Sequence, residues 1–224
     1  MKSIYNFITA SLIAVSLLAG CADKKESGNE IILPVPFTSV KVTDNFWAPK
    51  IETNHRVTIP IAIEQSTITG RIKNFEIAGG LDEGEFCSIY PFDDSDVFKI
   101  IEGASYSLQT YPDKALETIL DTLIWKIGKA QEEDGYLYTY RTIMGDDSHP
   151  WIGSRRWEKT HILSHELYNL GHMYEAAVAH FQATGKRDFL DIAIKSADLV
   201  DRDFGWGKLE TWPGHQEIEI GLVK

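Results

Sequence analysis

The chain has 224 residues, of which 43% are hydrophobic and 25% charged, a composition typical of a globular protein with one sizeable core. Its formal net charge is −11 at pH 7. Because nucleic acids and anionic membrane surfaces are themselves negative, this charge argues against both as partners and suits a protein that acts on neutral sugars or other small molecules.

The N-terminus has the pattern of a bacterial lipoprotein signal peptide. Lys2 is followed by an apolar run over residues 8–19, which is too short to span a bilayer. The run ends in Leu18-Ala-Gly-Cys21, which resembles a lipobox with Cys21 as the lipidation site. An ordinary secretory signal with a chance cysteine is the alternative. Ala22 after the cysteine favours the outer membrane, with the protein facing the periplasm or the exterior.

Cysteine usage supports the same division of the chain. If Cys21 carries the lipid, no intrachain disulfide can form, because Cys87 is the other of the two cysteines. Cys87 is then a buried small hydrophobic side chain, which is the interpretation that we favour, or a reactive thiol. We predict a signal peptide over 1–20, a charged tether over 21–34 and a folded domain over 35–224.

The first part of the domain is predicted to be extended and then helical. Residues 31–50 alternate apolar residues with prolines, which indicates an edge strand or a strap. A helix follows over about 51–64 and is broken or kinked at Pro60. Glycines punctuate residues 67–84, which we expect to be loops.

Apolar residues then recur at helical spacing in two pairs of helices. The first pair covers about 96–111 and 116–130, stopping at Asp134-Gly135, and Asp94 or Ser95 is expected to cap its first helix. The second pair follows about seventy residues later, and this repeat indicates stacked αα-hairpins.

The last predicted helix begins after Pro213-Gly214-His215 and runs to Lys224. A helical array needs a polar terminal cap, and this segment has none. We therefore expect the chain to be the front part of something longer.

The pattern from His165 to Gly185 predicts one helix with two distinct faces. His165, Asn169 and His172 are spaced at i, i+4 and i+7, so they share one face and suggest the wall of a polar cavity. The alternative is that they cap or cross-link neighbouring helices. The other face carries an apolar stripe of Leu163, Leu167, Leu170, Tyr174, Val178 and Phe181.

Other groups that could carry chemistry have simpler explanations. His161 and His165 have zinc-ligand spacing on a helix, but the glutamate of the metalloprotease pattern is missing, so we predict no metal there. The acidic residues at 93–96 and Glu102 could supply a glycosidase carboxylate pair or could mark a helix N-terminus. Aromatic residues in the loops suit sugar faces or cover the core. They are Trp47, Tyr136, Tyr138, Tyr140, Trp151, Trp157, Trp206 and Trp212.

Four motifs in order carry a family resemblance. They are Phe92-Asp-Asp94-Ser-Asp96-Val-Phe-Lys99, Ala130-Gln-Glu-Glu-Asp134-Gly-Tyr136-Leu, His165-Glu-Leu-Tyr168 with Gly171-His172, and Gly214-His215-Gln-Glu217-Ile-Glu219. Together, from about Val35 to the last residue, they resemble the N-terminal part of the catalytic domain of glycoside hydrolase family 127, the β-L-arabinofuranosidase-like proteins.

The resemblance implies an all-α fold, a partial (α/α)6 six-hairpin barrel with a short extended leader. It also implies a retaining glycosidase with a zinc-bound cysteine thiolate as nucleophile and a glutamate as acid/base. The residues that match its motifs assign His165 and His215 to the arabinofuranose in the −1 subsite. Asp94 and Asp96 match a shared motif and are candidate substrate-binding residues.

The chain departs from the family pattern because the cysteine cluster and the acid/base glutamate lie downstream of the matched segment. We therefore assign no catalytic residue here, and expect zinc only in the full-length domain. The leading hypothesis is an N-terminal fragment of a lipoprotein glycoside hydrolase for terminal β-L-arabinofuranosyl or related linkages in arabinose-containing plant glycans, itself inactive. A surface glycan-binding lipoprotein without catalysis is the alternative, and a helical-repeat scaffold is a third possibility.

Overall fold

A computed structural model describes residues 33–145 and 149–224, so the predicted signal peptide and Cys21 lie outside the described residues. The chain divides into two units, Met1–Pro36 and Phe37–Lys224. In the first unit, the described residues 33–36 are exposed and irregular. Within the described ranges, no helix has the length and apolar character needed to cross a bilayer.

The second unit begins with a strap and continues in helices. After a 3-10 turn at Phe37–Ser39, the helices are α1 (Trp47–Thr53), α2 (Ile59–Ile68), α3 (Arg71–Ala78), α4 (Asp94–Thr110), α5 (Lys114–Ala130), α6 (Thr139–Met144), α7 (Glu166–Thr184), α8 (Asp188–Asp203) and α9 (Glu217–Val223). A π-helical turn at Asn54–Thr58 joins α1 to α2. Among residues 33–145 and 149–224 no strand occurs, apart from a single bridge between Phe204 and Leu209.

The leader is a strap rather than an edge strand. The ring of Phe37 packs edge-on against Tyr106 with centroids 4.7 Å apart. Gln109 Nε2 donates a hydrogen bond to the Thr38 carbonyl at 3.1 Å. Both contacts are made with α4, so the leader is fixed by side chains of one helix and not by a strand ladder.

Two predictions for the segment before α4 need correction. Pro60 does not end the helix: the π-helical turn Asn54–Thr58 lies directly before α2, and helical backbone continues through Pro60 into the rest of α2. The predicted loop at 67–84 contains helix α3. Gly70 starts it with φ +82°, a conformation that any other residue adopts only with strain.

Cys87 is exposed, so the favoured interpretation of a buried cysteine is wrong. The residue lies in the irregular segment between α3 and α4, where its backbone N–H donates to Asn74 Oδ1 at 2.8 Å. Its thiol donates a hydrogen bond to the Glu85 carbonyl at 3.4 Å.

Several helix boundaries in the two pairs differ from the predicted ones. Helix α5 ends at Ala130, and Gly135 occupies the following turn with φ +101°, so it is not the C-terminal glycine of the helix. Helix α6 begins at Thr139, so Tyr140, which we expected in a loop, is helical. Helix α7 begins one residue after His165, which leaves Leu163 outside the helix and 41% exposed.

The helices form two adjoining layers. Helix α7 packs between α4 and α9, while α5 contacts α3 and α8 on the other side of the core. Large side chains fill the space between the layers. They include Phe75, Phe98, Ile101, Leu120, Ile127, Leu170 and Phe189. The all-α class and the stacked αα-hairpins of a partial six-hairpin barrel are thus confirmed.

Glycine backbones set the spacing between α7 and α9. A Cβ at Gly171 would lie 2.5 Å from the Glu217 carbonyl oxygen, and one at Gly221 would lie 2.6 Å from the Gly171 carbonyl oxygen. Real Cβ atoms do not approach backbone this closely, so both positions require glycine for α9 to sit against α7.

We predict that Gly171→Ala destabilises the protein by about 2–3 kcal/mol, because the new methyl group must push α9 away from α7. The matched control is Gly103→Ala in α4, where a Cβ would meet nothing within 4 Å. There the substitution should stabilise by about 0.5–1 kcal/mol, since alanine favours a helix more than glycine does. Urea denaturation followed by circular dichroism measures both, and equal effects of the two substitutions would contradict the close packing.

Candidate functional site

A small cavity brings two histidines from different segments together. His165, at the start of α7, and His215, just before α9, both line it, and its volume is about 250 Å³. The ring of Tyr168 lies between them, with centroid distances of 5.3 Å to His165 and 4.8 Å to His215. The other six lining residues belong to α4, to the segment just before it, or to α7. They are Phe92, Asp93, Ser95, Asp96, Lys99 and Tyr168.

His165 is held in a strained backbone conformation. Its φ is +54°, which costs a non-glycine residue about 1–3 kcal/mol and persists only where the surroundings enforce it. The next residue, Glu166, is buried, and its carboxylate accepts hydrogen bonds from Tyr136 Oη at 2.6 Å and from the Trp157 backbone N–H at 3.1 Å. These bonds fix the first turn of α7 and thereby the direction of the His165 ring.

The prediction that His161 and His165 share a helix is wrong. Residues 155–163 form successive turns, His161 is exposed, and α7 begins only at Glu166. His161 contacts the ring of Trp212 instead, at a centroid distance of 5.7 Å. Asn169, which we placed on the same face as His165, is fully buried and does not line the cavity.

The electrostatic surroundings keep His165 neutral. Burial lowers the pKa of His165 below its usual 6.5, and the nearby His215 and the Lys99 ammonium lower it further. Its Nδ1 is buried without a hydrogen-bond partner. A neutral imidazole has one nitrogen that donates and one that accepts, so the ring can pair with a hydroxyl group in either sense.

Charged groups of α4 form the opposite side of the cavity. Lys99 Nζ donates to Tyr168 Oη at 2.5 Å and to Ser95 Oγ at 3.2 Å, so it orients the aromatic ring between the two histidines. The Asp96 carboxylate is held by Arg71 Nε at 2.6 Å. Asp96 therefore keeps hydrogen-bond acceptors fixed at the edge of the cavity.

Asp94 has a different position from the one that we expected. It is buried, and its two carboxylate oxygens accept from the backbone N–H of Thr139, at 2.9 Å, and from the Thr139 hydroxyl, at 2.5 Å. Burial raises the pKa of Asp94 to about 7. The residue joins α4 to α6 and does not line the cavity.

The expected N-terminal capping of α4 by Asp94 or Ser95 is also wrong. Both residues lie inside the helix, and Asp93 at the N-cap position makes no side-chain cap bond. Its carboxylate instead pairs with Arg71 at 3.2 Å and accepts a hydrogen bond from Ser88. The acidic cluster thus serves tertiary contacts.

A second polar cluster adjoins the cavity through Tyr168, whose ring contacts His172 with centroids 4.5 Å apart. His172 Nδ1 lies 3.1 Å from Glu217 Oε1. Glu217 shares a hydrogen bond with Glu175, and Lys224 Nζ lies against the Glu175 carboxylate. Glu217 belongs to one of the four family motifs, but no pattern in the sequence indicates that its side chain would contact α7.

Two pKa values in this cluster are displaced in opposite directions. Burial, then the hydrogen bond and the charge of Glu175, raise the pKa of Glu217 to about 7. Burial and the Lys99 ammonium lower the pKa of His172 to about 4. Below pH 7 the cluster therefore shares a proton between the two carboxyl groups, and above pH 4 it does so beside a neutral imidazole.

Part of this cluster has metal-ligating groups. Glu102, His172 and Glu175 can each bring one ligand atom within 4.8 Å of the others. Lys224 Nζ, 3.8 Å from Glu102 and in contact with Glu175, already supplies a positive charge there. These contacts explain the arrangement without a metal ion.

The displaced pKa values predict a broad stability plateau between about pH 4.5 and 6.5, because the contributions of Glu217 and His172 change in opposite directions there. Glu217 has a raised pKa in the folded state, so its contribution is present at low pH and is lost as the pH rises through 7. His172 has a lowered pKa, so its contribution is present above pH 6.5 and is lost as the pH falls towards 4.

We expect Glu217→Gln to remove about 1–3 kcal/mol of the stability loss between pH 6 and pH 8. Urea denaturation of wild type and variant at pH 5, 6 and 8 checks this. The control is Glu219→Gln, whose side chain is exposed on the same helix. Parallel pH profiles for the wild type and Glu217→Gln would contradict the shared proton.

Comparisons with known proteins agree on one family. The model of the β-L-arabinofuranosidase GH127 catalytic domain matches residues 39–224. A non-reducing end β-L-arabinofuranosidase of Bifidobacterium longum subsp. longum is 40% identical over 155 residues, covering 68% of this chain and 23% of its own.

Two solved structures are also similar. One is a GH127 β-arabinofuranosidase with 54% identity and a TM-score of 0.80, covering 85% of this chain and 30% of its own. The other is a GH127 β-L-arabinofuranosidase from Geobacillus stearothermophilus T6 with 41% identity and a TM-score of 0.75, covering 82% and 29%. The chain thus spans less than a third of the length of each relative. Because the family model covers most of its residues, this chain belongs to the GH127 catalytic-domain family.

Proposed function

We propose that this chain forms the wall of a sugar subsite in a glycoside hydrolase that acts on terminal β-L-arabinofuranosyl or related furanosyl linkages. The observation that carries the proposal is the cavity in which His165 and His215 flank Tyr168. The relatives that bear the name β-L-arabinofuranosidase support the choice of sugar.

The chemistry of the cavity suits a neutral sugar unit. His165 is neutral and can donate or accept, Lys99 supplies a donor, and Asp96 supplies acceptors, which together match the mixed hydrogen-bonding capacity of hydroxyl groups. The volume of about 250 Å³ is below the usual range for drug-sized ligands. It therefore favours one sugar residue over a longer oligosaccharide.

The zinc-bound thiolate implied by the family does not fit the residues of this chain. The sequence has two cysteines, Cys21 and Cys87, and a thiolate-rich zinc centre needs more sulfur ligands close together. Cys87 is exposed and does not line the cavity of the two histidines. We assign binding roles to the residues of this chain and no step of bond cleavage.

A glycan-binding role without catalysis is the second candidate. Polar groups that can bind a sugar are present in the cavity, while the described residues bring no thiol to it, and this difference favours the second candidate. The ligand is the same in both candidates, an arabinose-containing glycan, so turnover is what distinguishes them.

Attachment to the bacterial envelope through Cys21 is a further part of the proposal and rests on the lipobox sequence. In cells fed a radiolabelled fatty acid, the protein should incorporate label and partition with membranes, preferably the outer membrane. Cys21→Ser should abolish both, and label retained in that variant would contradict lipidation at this residue.

We predict that His165→Ala and His215→Ala each weaken the binding of arabinofuranose-containing oligosaccharides about 2- to 10-fold, since each removes a hydrogen bond to a neutral sugar worth about 0.5–1.5 kcal/mol. Isothermal titration calorimetry on protein starting at Ala22 measures the loss. The matched control is His161→Ala, an exposed histidine outside the cavity, which should bind as wild type does. Unchanged affinity in both cavity variants would contradict the subsite.

We also predict that the 224-residue chain alone releases no p-nitrophenol from an aryl β-L-arabinofuranoside, because no thiol within residues 33–145 and 149–224 lines the cavity as a nucleophile. Release is followed by absorbance, with Cys87→Ser as the comparison. Turnover by the wild-type chain that disappears in Cys87→Ser would overturn this account of the site.

A further inference from the structure

A second concave surface lies between the outer helices, away from the cavity of His165 and His215. This groove has a volume of about 740 Å³, which lies in the usual range for ligand sites. It shares no lining residue with the histidine cavity. The lining residues used below are Asp121 and Trp125 of α5, His180 of α7, Lys186 of the following turn, and Asp188 and Asp191 of α8.

His180 is the most unusual of these residues. Its side chain is fully buried in the wall of the groove, yet neither Nδ1 nor Nε2 has a hydrogen-bond partner. The great majority of buried polar side chains in proteins are hydrogen-bonded. Burial lowers the pKa of His180, so the ring is neutral at pH 7 and offers one donor and one acceptor. A matching ligand group would have to accept and donate, as a hydroxyl does.

The charged groups that face His180 carry a net negative charge, because one ammonium group faces three carboxylates. They belong to Asp121, Lys186, Asp188 and Glu117. Lys186 Nζ is bound by both oxygens of Asp121, at 2.8 and 2.7 Å, and by Glu117 at 2.5 Å. These pairs satisfy the ammonium group and leave carboxylate oxygens at the rim of the groove. The surroundings therefore disfavour an anionic ligand and admit a neutral polar one.

Trp125 adds a flat apolar surface to these polar groups. Its side chain lines the groove and is 51% exposed, which is high for a large aromatic residue. Lys129 Nζ lies 5.9 Å from the ring centroid and covers it only loosely. An exposed indole beside fixed carboxylates and an unpaired imidazole suits a molecule with an apolar ring face and a rim of hydroxyl groups.

We propose that this groove is a surface site for a neutral oligosaccharide, separate from the histidine cavity. The aromatic ring of Trp125 contacts a sugar face, Asp188 and Asp191 accept from its hydroxyl groups, and His180 provides the paired donor and acceptor in the wall. The site serves to hold a glycan chain, so it does not depend on whether the histidine cavity takes part in hydrolysis.

Affinity electrophoresis of the full chain tests the proposal, in native gels containing soluble arabinan, xylan or galactomannan. The wild-type protein should be retarded by at least one of these polysaccharides. Trp125→Ala should weaken the retardation at least fivefold, whereas Trp206→Ala, which removes a 97% exposed tryptophan outside the groove, should not change it. Retardation that is lost in Trp125→Ala and kept in Trp206→Ala separates this groove from the histidine cavity, since neither tryptophan lines that cavity.

His180→Leu provides a second test that depends on the buried ring. We expect weaker retardation with a thermal midpoint equal to or above that of the wild type, since an unpaired polar group is replaced by an apolar one. Circular dichroism confirms that both variants are folded. Two results would overturn the proposal: no retardation of wild type by any of the polysaccharides, or equal retardation of Trp125→Ala and wild type.

Discussion

The candidate site depends on the buried carboxylate of Glu166. Its hydrogen bonds to the Tyr136 hydroxyl and to the backbone of Trp157 tie the start of α7 to two segments that precede it in the chain. They hold His165 in a left-handed conformation that the residue would not adopt by itself. Because the imidazole direction follows from that backbone, the loop from 155 to 165 and helix α7 act as one support for the cavity.

The cavity also requires close helix packing behind it. His215 precedes α9, and α9 reaches α7 only because Gly171 and Gly221 leave room for backbone against backbone. The same approach brings Glu217 next to His172 and Glu175. Small residues at the crossing thus determine both where the second histidine lies and which carboxyl groups share a proton beside it.

Sequence reasoning predicted the fold class because helical periodicity is a local property. The pairs α4–α5 and α7–α8 follow directly from the spacing of apolar residues and their repeat. It failed where tertiary contacts override local preference. Asp94 has the sequence pattern of a helix cap, but it is buried against Thr139, a partner 45 residues away. His165 has helical spacing in the sequence, but it precedes the helix, in the backbone conformation that the hydrogen bonds of Glu166 support. The grouping of His165 with His215 came from the family resemblance, since no spacing rule joins residues fifty positions apart.

Helix α7 begins directly after His165 and carries His180 near its last turn, so one helix connects the histidine cavity and the outer groove. An α-helix rises about 1.5 Å per residue, which sets the two imidazoles roughly 20 Å apart along its axis. A helix packed on both sides does not stretch. The helix therefore fixes the distance between the histidine cavity and the outer groove. A single glycan can engage both sites only if its chain is long enough to follow the surface between them.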